Sequence, residues 1–193
     1  MKLVATGDWH LYNWSEFSKS LMVIWDLGKQ RYVEVSEEQP DYQYAKEMGS
    51  RLLNILNGLC DMRDYCIENN ISEVLMAGDC FHKRGTIEVT VFNAVYKILE
   101  SFWQRSITVH MIAGNHDQVD ASQQPVSSIH AFQEVAHVIE HPLYFTLDDL
   151  KLEIVALPYS KDKEFVLNSL HELYDECVNP EQAILMCHLG VTG

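Results

Sequence analysis

Basic residues are scarce: 14 lysines and arginines stand against 28 aspartates and glutamates in 193 residues, for a formal charge of −14. Such a surface repels polyanions on average, which counts against unaided binding of nucleic acid. Long apolar runs are missing too, and no stretch approaches the ~20 residues of a membrane-spanning helix, so no membrane partner is expected. The opening "MKLVATGDWH" turns polar too early for a secretion signal, and the expected address is the cytoplasm. Cysteines number five (Cys60, Cys66, Cys80, Cys177, Cys187), with no C-x-x-C pair. That argues against a disulfide framework or a cysteine-built zinc site and leaves buried thiols in a reducing compartment. No repeat or low-complexity segment is present.

What is present is the composition of a soluble globular chain, 47% apolar and 22% charged, at a length that suits one domain over residues 1–193. "KLVAT" (2–6) reads as a short buried strand. A polar and aromatic stretch at about 11–40 has no clean period and reads as an insertion, with "RYVEV" a possible short strand. Met48, Leu52, Ile55, Leu56, Leu59 and Cys66 share a helical stripe, predicting a helix from Asp41 to Asn69. "EVLMA" predicts the next strand, Ile87 to Phe102 a second helix, and "ITVHMIA" a further strand. Beyond a polar loop holding Pro125, a short helix is expected near 126–135. "LYFTL" and "KLEIVAL" suit a hairpin, followed by a helix over about Lys161–Cys177 and the strand "AILMC". Alternating strands and helices imply an α/β architecture with a largely parallel sheet.

Four polar clusters fall where predicted strands end: "GDWH" (7–10), "GDCFH" (78–82), "GNHD" (114–117) and "CHLG" (187–190). In open α/β sheets that edge binds ligands. Singly, each has an ordinary reading. Asp8 and His10 can sit in a surface turn, Asp79 can cap a helix or turn, Asn115 and His116 can be turn residues, and His188 can be a satisfied core histidine. Jointly they would require four separate strands to end in Gly- or Cys-flanked Asp, Asn or His by coincidence. Imidazole and carboxylate donors together suit Mn, Fe or Zn, and a shared carboxylate suits a dinuclear site.

The set "GDWH", "GDCFH", "GNHD" and "AILMCHLG" resembles the calcineurin-like metallophosphoesterase superfamily. The histidine ending "GDCFH" and the strand "AILMCHLGVTG" resemble most the SbcD/Mre-eleven family of DNA repair nucleases. The resemblance implies an α/β/β/α sandwich and two divalent metal ions, Mn²⁺ foremost, with Mg²⁺, Fe²⁺ or Zn²⁺ as alternatives. Carried over by position, Asp8 and His10 would hold one metal, Asp79 would bridge, and Asn115 and His188 would hold the other. His116 would assist catalysis, Asp117 would orient its ring, and His82 would face the scissile phosphate. The implied activity is metal-dependent phosphodiester hydrolysis, as a DNA exonuclease or endonuclease in repair or recombination. The implied partners are DNA, an SbcC-like ATPase subunit and a second copy of the chain.

Two departures from the pattern stand out. No G-H-x-H occurs up to Gly193, so the expected C-terminal part of the sandwich is missing or shortened and its ligands are unaccounted for. The stretch after His10 exceeds the superfamily minimum; its Trp14, Trp25 and Tyr32 can stack on bases or pack as a satellite core or dimer surface. Lys83 and Arg84 in "HKRG" add positive charge beside the motif, whereas His110, His130, His137, His141 and His171 match no motif and read as surface or core histidines. Two further readings are open: a small-molecule phosphodiesterase or nucleotide phosphatase of the same superfamily, or a truncated inactive binding domain.

Overall fold

A computed structural model describes residues 2–119 and 126–189; the loop around Pro125 and the end of "AILMCHLGVTG" lie outside the described residues. Strands β1 (Val4–Thr6), β5 (Glu73–Met76), β6 (Thr108–Ile112) and β7 (His137–Ile139) form a parallel sheet in the order β1-β5-β6-β7. The chain crosses from β1 to β5 through helix α1 (Ser50–Glu68) and from β5 to β6 through helix α2 (Val89–Trp103). Successive right-handed crossovers that advance in one direction put their helices on one face.

Side-chain alternation then divides the core. Val74 and Met76 of β5, with Val109 and Met111 of β6, meet Leu52, Leu56, Val95 and Leu99 of the helices. Leu75 and Ile112 point the other way. They meet Ile154, Ala156 and Met186 of a second sheet, ordered β10-β9-β8, built from β8 (Leu143–Leu147), β9 (Leu152–Leu157) and β10 (Ile184–Cys187). Helix α3 (Lys163–Glu176) packs on β9 and β8 from outside, its N-terminus capped by Asp162 accepting from the amides of Glu164 and Phe165. The layers are thus the expected α/β/β/α. Among the described residues no helix is long and apolar enough to cross a membrane.

The stretch after His10 departs furthest from expectation. It is an antiparallel sheet, β3-β2-β4, of β2 (Ser20–Asp26), β3 (Arg31–Glu34) and β4 (Lys46–Gly49), so the added segment extends past residue 40. The helix predicted from Asp41 begins at Ser50, because residues 40–44 form a 3-10 turn and Met48 reaches the core from a strand. Its first turn has no local side-chain cap. Ser18 accepts from the Arg51 amide at 3.3 Å, so the cap comes from the added segment. Buried Arg63 ties the same segment to both helices, donating to the Gln30 carbonyl at 2.7 Å and to Ser101 Oγ at 2.8 Å. Trp25 and Tyr32 pack against the main core, not a satellite one. The helix expected near 126–135 is a 3-10 turn at Ser128–Phe132, and β7 was not anticipated at all.

Candidate dinuclear metal site

Because β1, β5 and β6 run parallel, their carboxyl ends deliver Asp8, Asp79 and Asn115 to one edge of the sheet; β10 delivers His188 from the second sheet. The two sheets join there through the Tyr159 amide, which donates to the Ala113 carbonyl at 2.9 Å. A cleft of about 630 Å³ opens at this junction, lined by Thr6, Asp8, Asn115, Tyr159 and His188 among others.

The first two motif loops are zipped together. The amides of Asp8, His10 and Leu11 donate to the carbonyls of Gly78, Asp79 and Cys80 at 3.0, 2.9 and 2.9 Å. Asp8, His10 and Asp79 are all left-handed, with φ of 53°, 46° and 56°. Side chains rarely adopt that conformation, and it persists where surrounding bonds over-determine it, often at functional sites. Gly114 permits the closest approach, since a Cβ there would overlap the Asp79 amide nitrogen and carboxylate.

The donor atoms converge. Asp79 Oδ2 lies 3.5 Å from both His10 Nε2 and His188 Nε2, and Asp8 Oδ1 lies 3.9 Å from His10 Nε2. His188 Nδ1 donates to the Ala77 carbonyl at 2.8 Å, so the neutral ring presents its lone pair at Nε2. That lone pair faces Asn115 Oδ1 at 3.1 Å as well as Asp79 Oδ2. With the ring neutral, three acceptor atoms meet here, a donor set that suits a cation. Ligand atoms of Asp8, Asp79 and His188 all lie within 4.8 Å of one another, and so do those of His10, His82 and His116. The donor set therefore fits divalent metal. Asp79, only 3% exposed, lies with Oδ2 between a histidine of each group.

Three imidazoles stand on the open side. His10 and His116 have ring centroids 5.0 Å apart, and His82 stacks on His116 at 5.6 Å and 21°. Burial pushes the His82 pKa down, helped by the neighbouring His10 and His116 and by Lys83, so its neutral form is favoured. His116 Nδ1 donates to the His82 carbonyl, which fixes the ring and leaves Nε2 for proton transfer.

This corrects the role expected of Asp117. Its carboxylate does not reach the His116 ring: Oδ2 accepts from the amides of Cys80 and Gly114 at 3.1 and 3.0 Å, and Oδ1 from Phe81 at 3.0 Å. Asp117 is 1% exposed and stitches the second motif loop to the third. Burial pushes its pKa up, and the three amides pull against that.

Two neighbours, Tyr159 and Tyr12, carry no signal in the motifs, and Trp14 stands closer to the motif residues than its place in the added segment indicates. Tyr159, just beyond the end of β9, lines the cleft and could have been found by applying the strand-end rule to that strand too. Trp14 and Tyr12 lie against His82, at centroid distances of 4.4 and 5.8 Å; no spacing in the sequence signals that contact.

No curated protein matches the chain. Among solved structures it is similar to a dimetal phosphatase from Danio rerio, at 12% identity and a TM-score of 0.44, over 93% of this chain. The chain spans about half of that protein, 53%. Over residues 1–190 the sequence matches the profile of the calcineurin-like phosphoesterases, whose members bind two divalent metal ions, and the chain belongs to that family.

Proposed function

We propose that the chain is a dinuclear-metal phosphodiesterase acting on DNA, of the SbcD/Mre-eleven type. Asp8 and His10 would hold one cation, Asn115 and His188 the other, and Asp79 both. Bound there, two divalent ions neutralise phosphate charge and supply Lewis acidity that activates water near neutral pH; Mn²⁺ suits this mixed imidazole, carboxylate and amide set.

The protein's own groups do the rest. His116, locked through Nδ1, presents Nε2 to the leaving oxygen; as the imidazolium, protonated on both nitrogens, it would pass the Nε2 proton to that oxygen and be left neutral. His82, favoured neutral, hydrogen-bonds a phosphate oxygen without competing with the cations for charge. Asp117 holds the loops that set the distance between these two rings. The observation that carries the reading is the placement of His82, the last residue of "GDCFH", beside His10 and His116 on the open side of the donors.

The acidic surface supports a second reading, a small-molecule phosphodiesterase or nucleotide phosphatase, because a charge of −14 disfavours a polyanion. An SbcC-like ATPase subunit or a second copy of the chain would offset that repulsion. The deciding experiment is Mn²⁺-dependent digestion of linear duplex and single-stranded DNA beside bis(p-nitrophenyl) phosphate. Degradation of DNA is expected; hydrolysis of the small ester with intact DNA would replace the nuclease by the second reading.

A further inference from the structure

Aromatic and basic side chains gather beside His82. Trp14 lies with its ring 4.4 Å from His82, and Tyr12 packs edge-on against Trp14 at 5.2 Å and 90°. The Arg51 guanidinium sits 4.8 Å from the Trp14 ring centroid, and Lys83 Nζ 4.2 Å from that of Tyr12, with Lys83 also donating to Tyr12 Oη at 2.6 Å. Among the described residues neither Arg51 nor Lys83 has a carboxylate within salt-bridge distance, so both charges can meet an anion. Two aromatic rings and two cations without carboxylate partners thus border the imidazoles.

Three elements fix this arrangement. Trp14 belongs to the segment after His10, which Asn13 pins to the start of α1 by accepting from the Gly49 amide at 2.8 Å. Arg51 is the second residue of α1, and Lys83 follows His82 directly. Tyr12 and Trp14 are half-buried, with part of each ring open, while Arg51 and Lys83 are exposed. A base stacked on an aromatic ring is held more strongly than an exposed cation over the same ring, so a nucleobase can displace Arg51 from Trp14. The displaced guanidinium remains attached beside the ring, free to meet a phosphate.

We infer that Tyr12, Trp14, Arg51 and Lys83 form a nucleotide subsite flanking the metal centre on its His82 side, in which Trp14 stacks the base next to the scissile phosphate and the two cations take flanking phosphates. This deepens the nuclease reading and rests on it. The subsite calls for single-stranded or unpaired nucleotides at that position, because a paired base keeps its faces in the duplex stack.

The test compares a single-stranded oligonucleotide with one carrying an abasic site beside the cleaved linkage. Binding is read by fluorescence anisotropy with Ca²⁺, and kcat/KM with Mn²⁺. The chain should prefer the base-bearing strand about tenfold in both. Trp14→Leu, which keeps apolar volume without a ring, should bring that ratio near one, and Trp14→Phe should restore much of it. The ratio is decisive because Trp14 also walls His82, and a purely structural loss lowers both substrates alike. Arg51→Ala and Lys83→Ala should each flatten the slope of log affinity against log salt by about 0.7.

A wild-type ratio near one, or a ratio that survives Trp14→Leu in a variant folded by circular dichroism, overturns the subsite and leaves the nuclease reading standing. Hydrolysis of bis(p-nitrophenyl) phosphate with no cleavage of either oligonucleotide overturns both.

Discussion

Two groups of histidines in the same pair of packed sheets show how neighbours decide what an imidazole does. At the strand ends, His188 gives one nitrogen to a backbone carbonyl and turns the other toward Asp79 and Asn115, both oxygen ligands. In mid-sheet, His110 on β6 meets Glu73 at 2.7 Å through Nε2 and His137 on β7 at 2.8 Å through Nδ1, and Phe145 stacks on it from the second sheet. The mid-sheet group is closed, each donor having an acceptor. The strand-end group gathers carboxylate, amide and imidazole atoms that suit a divalent cation. Residue type is shared; only the balance of donors and acceptors differs.

The largest expected effect separates the two groups directly. Asp79→Asn should lower Mn²⁺-dependent phosphodiester hydrolysis by more than ~10⁴-fold, beyond the loss of one proton-transfer group, and should reduce bound Mn²⁺ below two per chain by elemental analysis. His110→Gln should leave the rate within about threefold while costing about 1–3 kcal/mol in chemical denaturation, because Glu73 loses its partner. Two full Mn²⁺ equivalents on active Asp79→Asn would erase the distinction. Next in size, His116→Gln should cost ~10²–10⁴-fold in kcat with metal content unchanged, the signature of proton transfer and not of ligation.

Asp117 sharpens the comparison from the side of stability. Asp117→Asn turns an amide nitrogen toward backbone N–H groups that now donate to a carboxylate, so at least one bond becomes donor against donor. A loss of about 3 kcal/mol is expected by urea denaturation, with activity down ~10–100-fold as for an outer partner of a metal site.

The site was the most legible part of the chain and the added sheet the least, for one physical reason. Metal-capable residues must stand where strands end, so Gly7-Asp8, Gly78-Asp79 and Gly114-Asn115 announce themselves next to apolar runs. Strand β2, "SLMVIWD", is half-buried along most of its length, so no clean alternation marks it. The start of α1 was blurred because Met48 falls in helical phase with Leu52 while belonging to a strand, and because its cap is supplied by Ser18. Strand β7 has three residues, too few for any period. Asp117 misled through adjacency: a residue next to His116 in sequence turns inward, and the ring's acceptor comes from His82, 34 positions away. Trp14 could not be placed because its contact with His82 depends on how the added sheet docks.

The smallest effect lies in the closed group and tests whether it is closed. The His137 pKa is pushed down, first by burial and then by His110, with Glu73 opposing. Above the unfolded value of 6.5, His137 is neutral in both states and its folded environment costs nothing. As pH falls through 6.5 toward the lower folded value, the unfolded chain takes up the proton first, so stability is lost on acidification. The side chain is partly exposed, and solvent screening keeps the contribution small. Urea midpoints measured at intervals from pH 7.5 to 5 on metal-free protein should fall less steeply for His137→Gln than for the parent chain. An identical slope would mean that His137 accepts a proton as readily in the folded chain as in the unfolded one, and the mid-sheet pair would then be open to water.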